Sequence, residues 1–448
     1  MSYSDAVKNK MEDSGAEPGD RVEITTKDRK HVGVLMPASG GSEDVVVLKL
    51  DGGYNIGIDI NGIVGVKRLP WKEEELQDGA VEGVPGTEVE GMPEVSVLMA
   101  GGTIASRVDY RTGAVKASVG EEELIGSNPE LAEVASLETR VIMNTLSENM
   151  SSSDWVKIAG EVKKEIDKGK DGVVVAHGTD TMGYSSAALS FMLEDLSVPV
   201  VLVGSQRSSD RGSSDSNQNL VCAVRAATSD IAEVMVCMHG TTSDNFCYLH
   251  SGTKVRKMHT SRRDAFRTVN GRPYAKVDWE TRELETVRED YRRKDEDRET
   301  KLRDGFCKDV ALVKVYPGMD HSALESHLEG TKGVVIEGTG LGHVPIKNEE
   351  IRNVLEEYID RDNIVFMTSQ CLYGRVNMNV YETGVDLVDI GVIGNLHDML
   401  PETAYVKLGW LLGNYDKEEA RELMLENMRG EISERTEHKD LVKWEDEF

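Results

Sequence analysis

The chain has 448 residues, 39% of them hydrophobic, and its 80 acids against 52 bases leave a formal charge of −28. That length calls for more than one domain with a substantial core; no run of 18 or more apolar residues offers a membrane span, and the N-terminal MSYSDAVKNKMEDSG has no apolar segment to serve as a secretory signal. So strong a negative field repels polyanions, which makes the surface as a whole a poor platform for nucleic acid.

Residues 1–18 are polar and read as a disordered tail. From Gly19 short β-rich runs follow one another, at 21–26, 31–36, 45–50 and 63–67, separated by turn signals such as Ser39-Gly40-Gly41-Ser42. Strands at that spacing over residues 19–70 predict a small β-barrel domain. Residues 1–70 of the chain hold 11 acids and 9 bases, so no basic stripe marks the barrel as an RNA binder; a docking or oligomer-contact module fits better. Residues 71–93 lose the alternation and fill with Glu, Gly and Pro, the composition of an acidic linker.

Beyond residue 94 the pattern becomes α/β. Near-continuous apolar runs at 95–100, 172–176, 198–203 and 234–238 alternate with helical patterns, such as 153–168 with Ser153 or Asp154 as cap. Such strands are buried on both faces of a parallel sheet. Residues 94–277 form a first α/β subdomain. The stretch 278–304, DWETRELETVREDYRRKDEDRETKLRD, is a charged insertion read as a solvated helix or linker. Residues 305–448 form a second α/β subdomain, with strands near 310–315, 333–336 and 364–368 and helices at 403–412 and 417–428.

Ligands of open α/β sheets sit beyond the carboxyl ends of strands. Two such ends here lead into Ala100-Gly101-Gly102-Thr103-Ile104-Ala105 and His177-Gly178-Thr179-Asp180-Thr181-Met182, about 76 residues apart. Each sets a threonine beside glycine, where a ligand can approach the backbone closely. Neither is a phosphate loop, and either alone serves equally as a helix cap. Five cysteines (Cys222, Cys237, Cys247, Cys307, Cys371) show no paired spacing, which fits reduced thiols in a cytoplasm. No His, Cys or carboxylate set has zinc spacing, so no metal is expected.

Taken together, GGTIA and HGTDTM resemble the two signature segments of the L-asparaginase/glutaminase family. The likeness continues through SSDSNQNL (213–220), EGTGLGHVP (337–345), TSQCLYGRVNM (368–378) and DMLPETAYVKLGWLLG (398–413). The resemblance implies an asparaginase-like fold of two α/β subdomains with parallel sheets. It also implies catalytic roles for four residues: Thr103 as nucleophile, Thr179 as second catalytic threonine, Asp180 beside it, and a downstream lysine. The segment KVRKMHTSRRDAFRT (254–268), in register through Ala265-Phe266, puts that lysine at Lys257 rather than Lys254. A hydroxyl is a weak nucleophile until a neighbouring base takes its proton, and a desolvated lysine can be that base. Tyr110 stands where the family has its lid tyrosine. Ser147 and Glu148 match the substrate-binding segment, Glu148 where many members have glutamine. His177, which invites a general-base reading, is structural in this pattern.

The order of small barrel, acidic linker and asparaginase-like unit resembles the D-subunit family of archaeal glutamyl-tRNA(Gln) amidotransferases. That resemblance implies hydrolysis of glutamine here, with ammonia passed to an E-type subunit that activates Glu-tRNA(Gln). It further implies a cytoplasmic homodimer within a heterotetramer, with no cofactor in this chain and ATP and Mg on the partner. A free L-asparaginase is the alternative, and a non-catalytic scaffold a third reading.

Overall fold

The computed structural model describes residues 4–12, 14–27, 29–36, 44–50, 55–70, 91–101, 106–109, 114–117, 129–207 and 214–436. Five strands, β1 (Arg21–Thr26), β2 (Lys30–Leu35), β3 (Val45–Leu50), β4 (Asn55–Asp59) and β5 (Ile63–Arg68), pair antiparallel in the order β4-β3-β2-β1-β5. Alternation sends Val22, Ile24, Leu35, Val46 and Leu48 into one core. The segment before them corrects the expectation of a disordered tail over 1–18: Asp5–Glu12 is a helix, α1. Val7 and Met11 lie one turn apart on its face and are buried in the same core.

The first α/β unit contains β6 (Glu94–Met99), the hairpin β7 (Ser106–Asp109) and β8 (Ala114–Ala117), β9 (Ser136–Val141), α2 (Ser152–Asp167), β10 (Gly172–Ala176), α3 (Met182–Met192), β11 (Leu193–Glu194), β12 (Val200–Val203), α4 (Ser216–Ala227) and β13 (Val234–His239). Then come β14 (Phe246–Ser251), β15 (Val255–Lys257), β16 (Phe266–Thr268), β17 (Ala275–Asp278), β18 (Leu284–Thr286) and β19 (Lys301–Leu302). One sheet runs β18-β17-β14-β13-β12-β10-β6-β9, parallel from β9 to β13 and antiparallel beyond. The chain leaves β6 for β9 on one side and returns to β10 on the other. A crevice therefore opens between the carboxyl ends of β6 and β10, the switch point at which doubly wound sheets bind ligands.

Helix α2 begins one residue earlier than the spacing predicts. Ser151, not Ser153 or Asp154, is its cap, because Ser151 and Asp154 form a reciprocal capping box. Trp155, Ile158, Ala159 and Val162 bury its inner face.

The charged stretch 278–304 is extended, not helical. It holds the β17–β18 hairpin, a bridge from Arg293 to Ile231, and β19, which pairs with β11. Its cations reach acids on neighbouring loops, Arg293 to Asp230 and Lys294 to Asp171, and Arg288 lies 4.1 Å from the Tyr274 ring centre. With no apolar stripe of helical period, these lateral contacts decide its path.

The second unit is a parallel sheet, β20 (Val310–Lys314), β21 (Gly333–Gly338) and β22 (Ile364–Ser369), in sequence order. Its helices are α5 (His321–Leu328), α6 (Glu349–Asp360), α7 (Glu382–Asp389), α8 (Pro401–Asn414) and α9 (Lys417–Met424). Helix α8 joins the units: Trp410 stacks on Phe191 of α3 at 5.6 Å, and Val335, Phe366 and Leu408 share a core with Val175 and Leu202. Lys407 of α8 and Glu431 form a fully buried ion pair at 2.7 Å. Among the described residues no helix is long and apolar enough to cross a membrane.

Candidate active site

Strand β10 delivers His177-Gly178-Thr179-Asp180-Thr181 to the switch point, just before α3 begins at Met182. Parallel pairing carries past the strands: Ala100 N–H donates to Ala176 O and His177 N–H to Val203 O, each within 2.9 Å. Glycine is required at 178, because a Cβ there would lie 2.7 Å from Ser147 Cβ. The two loops are also tied directly: Thr181 Oγ1 donates to Ser147 O at 2.7 Å. Ser147 is buried and Glu148 exposed, so the segment predicted to bind substrate lies against the threonine loop with its carboxylate in the open.

Lys257 closes the constellation. At the end of β15 its Nζ donates to Thr179 Oγ1 at 2.9 Å and to Asp180 Oδ1 at 2.7 Å. Its side chain is 15% exposed, against 63% for Asp180, so the ammonium is largely withdrawn while the carboxylate stays wet. Lys254 is engaged elsewhere, in a buried pair with Asp398 at 3.2 Å that links the two α/β units.

His177 is fully buried, and burial pulls its ring below the usual histidine range. Nδ1 lies 2.6 Å from Gly178 O and Nε2 2.8 Å from Ser185 Oγ, so the ring braces the turn from inside rather than facing the crevice.

Thr103 and Tyr110 lie outside the described residues. The first threonine segment is seen through Gly101, which has φ +123°, in the region that favours glycine, and packs on the Thr145 backbone. Thr145 N–H in turn donates to Ala100 O, so the end of β6 and the Ser147 loop are one packed unit.

A set of residues behind the crevice was not singled out from sequence. Gly204, after β12, lies directly under Thr179: a Cβ there would come 2.8 Å from Thr179 Cγ2. Asn219 of α4 holds Gly204 O at 2.9 Å, and buried Asp215 accepts from Gln206 N–H, Arg207 N–H and Asn219 Nδ2. Both residues belong to SSDSNQNL, the signal that could have pointed to them. Among the described residues no group of His, Cys, Asp and Glu side chains is arranged to hold a metal ion.

Residues 94–290 match the family described as Asparaginase, N-terminal, residues 309–424 the Glutaminase/Asparaginase C-terminal domain, and residues 16–69 the GatD N-terminal domain. The chain is similar to the glutamyl-tRNA(Gln) amidotransferase D subunit of Thermococcus kodakarensis, 50% identical over 430 residues that cover 94% of this chain and 96% of that protein. It is also similar to the corresponding D subunit of Pyrococcus abyssi, 52% identical over 427 residues, 93% of this chain and 94% of that protein. Among solved structures, the thermostable L-asparaginase from Thermococcus kodakarensis aligns with a TM-score of 0.68 and 32% identity, over 76% of this chain and 100% of that one.

Proposed function

The chain belongs to the family of glutamyl-tRNA(Gln) amidotransferase D subunits, with an asparaginase-type catalytic part, and on that premise we propose that it is the glutaminase of a tRNA-dependent amidotransferase. The observation that carries the reading is the contact of Lys257 with both Thr179 and Asp180 at the switch point of the sheet.

In this reading Thr103 Oγ attacks the side-chain amide carbon of glutamine. The C–N bond breaks, nitrogen leaves as ammonia, and water then cleaves the threonyl ester to give glutamate. Thr179 and Lys257 act as one proton relay beside the nucleophile, since a hydroxyl requires a neighbouring base to become reactive. Asp180 fixes the lysine, while Ser147 and Glu148 hold the amino-acid head group. Tyr110 closes over the bound substrate.

The ammonia goes to an E-type subunit that binds Glu-tRNA(Gln), ATP and Mg and forms Gln-tRNA(Gln). A formal charge of −28 supports leaving the tRNA to a partner. The assembly is a homodimer of this chain within a heterotetramer in the cytoplasm.

The test is the glutamine hydrolysis rate of the chain alone, with the E-type subunit, and with that subunit plus Glu-tRNA(Gln). A stepwise rise is expected. A chain that hydrolyses asparagine rapidly by itself, indifferent to both additions, is instead a free L-asparaginase. Thr103→Ala should lower turnover by several orders of magnitude while leaving the unfolding midpoint unchanged.

A further inference from the structure

The Lys257–Thr179 pair joins the β15–β16 hairpin to the turn before α3, two elements that also meet where Gly183 packs on Val255 O. Lys257 ends a ladder of only three residue pairs, Val255 with Thr268, Arg256 with Arg267 and Lys257 with Phe266. A two-stranded hairpin is marginal without further contacts; Val255 and Phe266 seat this one in the core, and what anchors the turn after Lys257 adds to the fixing of its position. Arg263 of that turn supplies an anchor: Nη1 donates to Asp244 Oδ1 at 2.5 Å and Nη2 to Thr242 O. Thr179 rests on Gly204, whose carbonyl is held by Asn219.

His239, the last residue of β13, stands between the two anchors and is fully buried. The Asn219 Nδ2 group is committed to Gly204 O and Asp215 Oδ2, so its Oδ1 is the acceptor that His239 Nδ1 meets at 2.5 Å. On the other side of the ring Nε2 lies 3.3 Å from Asp244 Oδ1, the oxygen that Arg263 holds. A run of contacts therefore leads from Thr179 through Gly204, Asn219, His239, Asp244 and Arg263 to the Lys257 hairpin; both ring nitrogens face acceptors, so the neutral ring donates to one of them and packs against the other. We infer that His239 is a positioning residue that sets the distance between Lys257 and Thr179 by tying the support of one to the anchor of the other. It touches neither and acts only through them.

The inference rests on that pair being the reaction centre, and the experiment separates the two. Glutamine hydrolysis is measured for the full-length chain assembled with its partner subunit. Asp244→Ala is the main variant, because Asp244 is 61% exposed and its removal threatens no core. His239→Leu removes both ring contacts, and His239→Gln restores an amide able to reach one of them.

Misplacement of a relay lowers turnover more than binding. Asp244→Ala and His239→Leu should each lower kcat about tenfold with KM within about twofold. His239→Gln should recover part of the loss, and the double variant should lose little more than the worse single one. Unchanged kcat in Asp244→Ala, or fully multiplicative losses in the double variant, overturns the inference, even where His239→Leu fails to fold. Thr179→Val is the control. If it retains full activity the reaction-centre reading fails; if it is inactive while Asp244→Ala keeps the parental kcat, only the positioning role fails.

Discussion

Gly-Thr follows several parallel strands of this molecule, and a comparison of two of them, β10 and β21, shows a side chain brought from far along the chain at the first and not at the second. Gly178-Thr179 follows β10, and Gly338-Thr339 ends β21. At both, a Cβ on the glycine would collide: with Ser147 Cβ at 2.7 Å in the first case, and with Met367 Sδ at 2.8 Å in the second. The difference lies in what arrives from elsewhere. Thr179 receives Lys257 from a hairpin 78 residues downstream. Thr339 Oγ1 donates to His343 O, inside its own loop, at 3.3 Å. Around it Gln370 Nε2 occupies Val315 O and Glu337 O, closing the strand ends over. Topology explains the contrast. The β20-β21-β22 sheet runs in sequence order and has no switch point, whereas the chain passes both ways around β6. A Gly-Thr turn is thus a neutral device, and strand order decides whether a crevice opens beside it.

The largest expected effect tests that contrast directly. Thr179→Val should lower glutamine turnover by roughly two to four orders of magnitude, the scale on which proton-transfer groups act. Thr339→Val should leave it within about twofold. Steady-state kinetics on both variants check this, alongside unfolding midpoints close to the parent. Comparable losses at the two threonines would remove the distinction between the strand ends.

The same contrast shows what was legible in the sequence. Apolar runs announced β6, β10, β12 and β13, because strands buried on both faces have almost no polar positions. The two threonine segments and the lysine stretch were visible as short contiguous strings. The chain Asn219–His239–Asp244–Arg263 was not, since it joins a helix, a strand, a loop and a turn through single contacts that leave no periodicity. The helix at Asp5–Glu12 escaped because its signal is one apolar pair, Val7 and Met11, in a polar tail. The stretch 278–304 read as helical or linker because its charge density resembles a solvated face. Its extended course depends on acids elsewhere, Asp230 and Asp171, that local pattern cannot register.

A middle-sized effect is expected at the glycines. Gly178→Ala and Gly338→Ala each force a methyl group into occupied space, and both should lose about 1–3 kcal/mol, the usual range for overpacking. They should differ in function. Displacement at 178 moves Ser147, and with it the loop bonded to Thr181, so Gly178→Ala should also raise KM for glutamine. Displacement at 338 moves Met367 and the loop around Gly342 and should leave KM unchanged. Urea unfolding and steady-state kinetics on the pair separate the two outcomes, and an equal rise in KM for both would contradict the comparison.

The smallest effect concerns acid stability, and it too has one residue on each side of the comparison. His177 braces the turn after β10, and His397 braces β22: Nε2 donates to Met367 O at 2.7 Å while Nδ1 accepts from Met399 N–H at 2.9 Å. That arrangement requires a neutral ring, and burial pushes His397 down to about 4 and His177 down from its ordinary value. A histidine whose folded pKa is depressed is protonated more readily in the unfolded chain. Its contribution is therefore complete above the unfolded value of about 6.5 and falls as pH drops toward the folded one. For His397 the window runs from about 6.5 to about 4, with a limiting slope of about 1.4 kcal/mol per pH unit. His397→Gln keeps one donor and one acceptor but cannot be protonated, so it should flatten the decline in that window without altering kcat. His177→Gln should also flatten it, but with lowered activity, because its ring supports the carbonyl of Gly178 next to Thr179. Urea unfolding at pH 7, 6 and 5 reads the slope directly. A decline in His397→Gln as steep as the parent's would mean that other groups govern acid unfolding.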